Sequence, residues 1–144
     1  MKKLTLTVLA ALLLAGCTID LDQQTVSKRK LFGDWVCTTQ YTEHNFETIN
    51  NLSFNRDGSL SNKSSVIEPI GKPFFVYDIS GTGMWQLNGN QLSYTLTPNA
   101  VKRNHTMEAN DAISMDSRYK EYEKNLFNKY SKRINKKNTI NFII

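Results

Sequence analysis

Two histidines and two cysteines leave this chain of 144 residues little from which to build a metal centre. His44 and His105 each stand alone in polar surroundings, and no Cys or His pair has the short spacing of a zinc site. Nucleophilic catalysis is equally poorly supplied. Ser and Thr are plentiful, but a nucleophile needs a base in reach and a third group to orient it, and neither histidine lies in such a pattern. Asp57 and Asp78 are the only carboxylates that suggest an acid and base pair, yet Asp57 is explained by a turn and Asp78 by a strand end. The expectation is a protein that is not an enzyme and carries no cofactor.

A long apolar run is also missing. The one run present, Leu4 to Leu14 behind Met1-Lys2-Lys3, is too short to span a bilayer as a mature helix. Two lysines, an apolar stretch and then small residues have the form of a secretory signal. The run closes on Leu14-Ala15-Gly16-Cys17, which resembles the lipobox of bacterial lipoproteins. That resemblance implies a signal peptide over 1–16, removal before Cys17, and a diacylglycerol on the Cys17 thiol that anchors the mature chain in a membrane. Thr18 rather than Asp follows the cysteine, which by the same resemblance implies the periplasmic face of the outer membrane. What remains is enough for one domain with one core, and not for two.

Positive charge is confined to one end. Thr18 to Val101 carries slightly more Asp and Glu than Lys and Arg, whereas Lys102 to Ile144 carries twice as many basic residues as acidic ones. A basic tail suits nucleic acid or an anionic surface. An exported chain meets no genomic DNA, so lipid head groups or acidic glycans fit better, beside the plain reading of a solvated tail. With Cys17 acylated, Cys37 has no partner in the chain. In the β-prone setting Trp35-Val36-Cys37-Thr38-Thr39 it is expected to be a small buried hydrophobe, with pairing to another protein as the alternative.

Residues 17–30 are polar and aperiodic, and read as the lipidated N-terminus and a tether. Residues 31–144 read as a single β-rich domain. A first strand follows Leu31-Phe32-Gly33-Asp34-Trp35 over Val36 to Thr42. A second runs from about Phe46 to Phe54, and Asn55-Arg56-Asp57-Gly58 turns the chain into a third from Ser59 to Ile67. Pro69, Gly71 and Pro73 mark a loop, and Phe74 to Ile79 is strongly β-prone. Gly81-Thr82-Gly83 is expected to bend the chain. The clearest signal is the alternation of Met84 to Leu87 and Gln91 to Leu96 on either side of Asn88-Gly89-Asn90, which predicts a hairpin.

Gly33-Asp34-Trp35 on the first strand resembles the Gly-x-Trp motif of the lipocalins. The Phe54 to Gly58 turn and the Gly83-Met84-Trp85 to Leu92 hairpin are similar to the small lipocalin-like domains of bacterial lipoproteins. The resemblance covers about Leu31 to Thr97. It implies a small antiparallel barrel or curled sheet in which Trp35 plugs one end and the inward faces line an apolar cavity.

After Pro98 the period changes. Met115, Tyr119, Tyr122, Leu126 and Tyr130 fall at helical spacing, so a helix is predicted over about 111–134, capped by Asn110 or Asp111 and ending in Lys129, Lys132, Arg133, Lys136 and Lys137. It either seals an open edge or mouth of the sheet or lies as a basic amphipathic helix on an anionic membrane. Thr139 to Ile144 reads as a closing strand. The fold class is thus mainly β with one C-terminal helix, of α+β type.

Two non-enzymatic functions remain. The chain is an envelope lipoprotein that binds another envelope protein, or a lipocalin-like carrier or sensor of a small apolar ligand. Volume separates them, since a carrier needs a cavity of roughly several hundred Å³. Trp35, Phe54, Phe75 and Trp85 are the candidate ligand-binding residues in the second case and the core filling in the first. The large side chains favour the filled core.

Overall fold

The computed structural model describes residues 27–144; the expected signal peptide over 1–16, Cys17 and the expected tether up to residue 26 lie outside the described residues. Six strands form one antiparallel sheet in chain order: β1 (Gly33–Tyr41), β2 (Phe46–Phe54), β3 (Ser59–Glu68), β4 (Phe75–Asn88), β5 (Gln91–Arg103) and β6 (Asn138–Ile143). The sheet curls into a half-barrel with β1 and β6 as its two edges. Two helices, α1 (Met107–Met115) and α2 (Ser117–Ser131), lie between β5 and β6.

The turns follow from local chemistry. Gly58 and Gly89 take positive φ, 86° and 63°, at the β2–β3 and β4–β5 turns, where other residues are strained. Asp57 Oδ1 accepts the Ser59 N–H at 2.8 Å, and its hydrogen bonds with Ser59 hold the carboxyl below the usual carboxylate range.

The glycines expected to bend the chain instead sit inside one long strand. β4 continues through Gly81-Thr82-Gly83, and its register with β5 slips between Ser80 and Gly81, where Ser80 faces Ala100 and Gly81 faces Pro98. A Cβ on Gly83 would fall 1.6 Å from the Thr95 carbonyl oxygen. Glycine is therefore needed because β5 crowds in, and β5 in turn extends through Pro98 to Arg103.

One face of the sheet carries two apolar clusters. The first joins Leu52, Phe54, Leu60, Trp85, Leu92 and Tyr94, with Leu31, Phe32, Leu87, Leu96 and Ile140 against it. Phe54 and Phe32 both meet the Trp85 ring edge-on, at 5.3 and 5.9 Å between centroids, and Trp85 Nε1 donates to the Asn55 carbonyl at 2.9 Å. The second cluster, Val66, Phe75, Tyr77, Ala109, Leu126 and Tyr130, is where the helices cover the sheet.

Five expectations are corrected here. Trp35 does not plug the half-barrel: it is 45% exposed, with Nε1 donating to Leu31 O at 3.0 Å. β1 is an edge strand, so its side chains lack neighbours on one side, and Phe32 rather than Trp35 closes over Trp85. Cys37 is exposed for the same reason. The predicted single helix is two, divided at Asp116, whose backbone is extended (φ −128°, ψ 120°). Thr106 Oγ1 caps α1 by accepting the Ala109 N–H, and Asp116 Oδ1 caps α2 by accepting the Arg118 N–H, displacing Asn110 and Asp111 from that role. The inward stripe is also rotated: Leu126 and Tyr130 are buried, but Met115, Tyr119 and Tyr122 are exposed. Among the described residues no helix is long and apolar enough to cross a membrane.

Candidate binding groove

Beside the helices two adjoining concavities share Phe75, Tyr119 and Tyr122 in their walls. One, of about 360 Å³, runs between the β3–β4 connection and the helices, and adds Asn45, Glu68, Pro69, Lys72, Phe74 and Glu108. The other, of about 440 Å³, lies toward Arg118. Both are open to solvent. The aromatic rings form a continuous wall, with centroids of Phe74 and Tyr119 5.8 Å apart and those of Phe75 and Tyr122 5.5 Å apart.

Phe75 is 5% exposed and forms the floor. It faces the helices because β4 begins there and alternate residues of the strand point to the same side. Tyr119 and Tyr122 lie on one face of α2, three residues apart. The Tyr122 hydroxyl donates to Glu68 Oε1 at 2.5 Å, which joins α2 to the end of β3. Partial burial and this carboxylate push the Tyr122 phenol up to about 12, so it stays a donor at neutral pH. Arg118 is tied to Asp116 at 2.6 Å. The groove therefore offers apolar rings in its wall and charges of both signs at its rim.

Under α2 lies a polar cluster that the sequence does not reveal. Glu123 is buried on the sheet side of the helix, its side chain 8% exposed, against a His105 side chain at 2%. Its Oε1 accepts from Arg103 Nε at 2.7 Å and from the Tyr77 hydroxyl at 3.3 Å. His105 Nε2 is 3.3 Å from the same oxygen, and His105 Nδ1 accepts the Val76 N–H at 3.0 Å. A ring nitrogen that receives a backbone N–H carries no proton, so the ring proton sits on Nε2 and points at Glu123. Burial raises the Glu123 carboxyl, but the hydrogen bonds from Arg103 and His105 outweigh it and hold the group below the ordinary carboxylate value. Burial and the Glu123 carboxylate push the Tyr77 phenol far up.

This cluster brings a histidine, a carboxylate and a phenol together, yet their polar atoms are spent on one another. None of the four residues lines either concavity. Its chemistry is that of a fastener between β4, β5 and α2. Among the described residues no three His, Cys, Asp or Glu side chains group closely enough to hold a metal ion.

Of the residues proposed from sequence, Phe54 and Trp85 are in the first apolar cluster and Phe75 in the second. Only Phe75 reaches the groove, and Trp35 stands apart on β1. Cys17 lies outside the described residues. Tyr119 and Tyr122 were legible as part of a helical stripe, but Glu68, one residue past the expected end of the third strand, was not, nor was the surface the three form. His105 read as a lone histidine in polar surroundings, since its partners Val76 and Glu123 are distant in sequence. Set against known protein families, curated proteins and solved structures, the chain matches none of them.

Proposed function

We propose that this chain is a non-enzymatic envelope lipoprotein, held by an acylated Cys17 at the periplasmic face of the outer membrane, that engages another envelope protein through the groove of Phe74, Phe75, Tyr119 and Tyr122. One observation carries the choice between binding module and carrier. The half-barrel around Trp85 is filled by Phe54, Trp85 and Tyr94 with Phe32 over them, whereas the apolar space that remains, beside α2, is an open groove and not an enclosed cavity. Aromatic rings rimmed by polar groups are a composition suited to protein contacts, because tyrosine buries much area with few torsions to freeze. The lipocalin likeness enters as a curled sheet with an aromatic interior, not as a ligand calyx.

Two measurements test this reading. Fatty-acid labelling should mark the wild-type chain and not Cys17→Ser; equal label in both removes the anchor. A photoreactive residue at Tyr119 should give one discrete adduct in intact envelopes, while the same residue at the exposed Lys63 on β3 gives none. Organic extraction that releases one apolar molecule per purified chain would instead favour the carrier.

A further inference from the structure

Asp34 apart, the β1 edge lacks the features with which strands usually guard against pairing. Its nine residues, GDWVCTTQY, include no lysine and no proline, and all are exposed. The register with β2 runs without a bulge from Gly33 opposite Phe54 to Tyr41 opposite Phe46. Trp35 is 45%, Val36 68% and Tyr41 42% exposed. The one charge, Asp34, is engaged by Ser53. Among the described residues nothing pairs with the outer side of this strand.

We propose that two copies of the chain pair through β1, antiparallel, about a two-fold axis that passes Cys37, so that two half-barrels join into one continuous sheet. Cys37 is the central residue of the strand, so a register centred on it uses the whole edge, and a slip by two residues shortens the seam. In that register the only charge, Asp34, faces Gln40 of the second copy, and no like charges meet. Val36 faces Thr38 of the second copy, a β-branched pair suited to a sheet. Tyr41 covers Gly33 of the second copy, the aromatic and glycine pairing that compensates a strand glycine. An axis normal to the sheet keeps the apolar inner faces on one side. Pairing of β1 with β6 of another copy would be head-to-tail and would not close, whereas pairing of β1 with itself is isologous and stops at two. A single nine-residue seam is at the small end of interface sizes, so the dimer is reversible and its population rises with concentration.

The axis makes Cys37 a built-in reporter of register. Opposed Cβ atoms at the axis sit about 5 Å apart, whereas cysteines placed at 35 in both copies would be roughly 13 Å apart along the seam, at about 3.3 Å per residue. Full-length chain in envelopes is treated with a short bis-maleimide. Wild type should give a covalent species of twice the chain mass, and Cys37→Ser should remove it. In the Cys37→Ser background, Trp35→Cys or Thr39→Cys alone should yield at least fivefold less, and co-expression of the two should restore the yield. Purified full-length Val36→Lys/Thr38→Lys, which sets lysines opposite lysines at exposed positions, should sediment as monomer with an unchanged melting temperature where wild type sediments as dimer. Monomer alone in wild type, equal yields at 35, 37 and 39, a cross-linked species of twice the chain mass that survives Cys37→Ser, or an adduct of another mass would each overturn the proposal.

Discussion

His105 and Glu123 meet at 3.3 Å, Nε2 to Oε1, under α2, and the other ring nitrogen of His105 holds the Val76 amide of β4. The imidazole thus bridges the sheet to the helix, and Arg103 and Tyr77 bind the same carboxylate from β5 and β4. A buried carboxylate with three donors is costly to disturb from one side only, because the donors are left unpaired in a dry place. Glu123→Ala should cost about 3 kcal/mol, and Glu123→Gln, which keeps one acceptor, about 1 to 2 kcal/mol. Arg103→Ala should cost less, since that side chain is 45% exposed and its pairing is screened by water. Urea midpoints of the three variants should fall in that order.

The same carboxylate sets a pH dependence. Its folded value lies below the ordinary 4.5, so between the two values the unfolded chain binds more protons than the folded one. Stability is therefore fully present above 4.5 and is lost as pH falls through the lowered folded value. Wild type should lose urea midpoint steeply below pH 4.5, and Glu123→Gln should show a shallower slope in that window. Parallel curves for the two would mean that Glu123 carries no charge in the folded chain.

The two tryptophans separate in cost. Trp85 is 4% exposed and packed between Phe54 and Phe32, so Trp85→Ala should cost about 3 to 5 kcal/mol. Trp35→Ala, on an edge strand where the ring is 45% exposed, should cost about 1 kcal/mol or less. Thermal unfolding of both variants checks the order.

Much of the sheet was legible in the chain because turn residues and alternation are local signals. Asn88-Gly89 and Asp57-Gly58 placed two hairpins, and the end of β2, the start of β3 and the start of β5 follow from them. What could not be read depended on partners distant in sequence. Trp35 carries a motif of the right type, but nothing local says that its strand is an edge. Met115, Tyr119, Tyr122 and Leu126 have the right period, yet Asp116-Ser117 is also a helix start, and the tertiary packing chose two helices over one. Glu123 reads as one more charge on a polar face until Arg103 and His105 are seen opposite it. The groove joins a strand end to a helix face and has no signature in either.

Gly83 offers a sharp test of the β4–β5 packing. A methyl group there would enter the Thr95 carbonyl, and both partners are backbone within a paired ladder, so neither can move aside alone. Gly83→Ala should abolish the cooperative unfolding transition or lower its midpoint by more than any surface variant. Gly89→Ala, with open space around its Cβ but φ at 63°, should cost only about 1 kcal/mol of backbone strain. Circular dichroism melts of the two should differ sharply; similar melts would mean that β5 does not approach Gly83 closely in solution.

Leu126 and Met115 share one apolar stripe in the sequence, and the fold gives them opposite fates. Leu126 is 9% exposed among Val66, Phe75, Tyr77 and Tyr130, while Met115 is 85% exposed at the end of α1. A carboxylate in place of Leu126 would be driven into that cluster beside the phenols of Tyr77 and Tyr130, with Glu123 already holding the one negative charge the site can satisfy. Leu126→Asp should therefore cost about 3 kcal/mol or more, enough to unfold a small domain in part at 37 °C. Met115→Asp should change stability by less than about 0.5 kcal/mol, since nothing packs on that side chain. If both variants melt like wild type, α2 is not docked on the sheet in solution, its apolar face is free, and the reading of a basic amphipathic helix on an anionic membrane regains the ground that the packing takes from it.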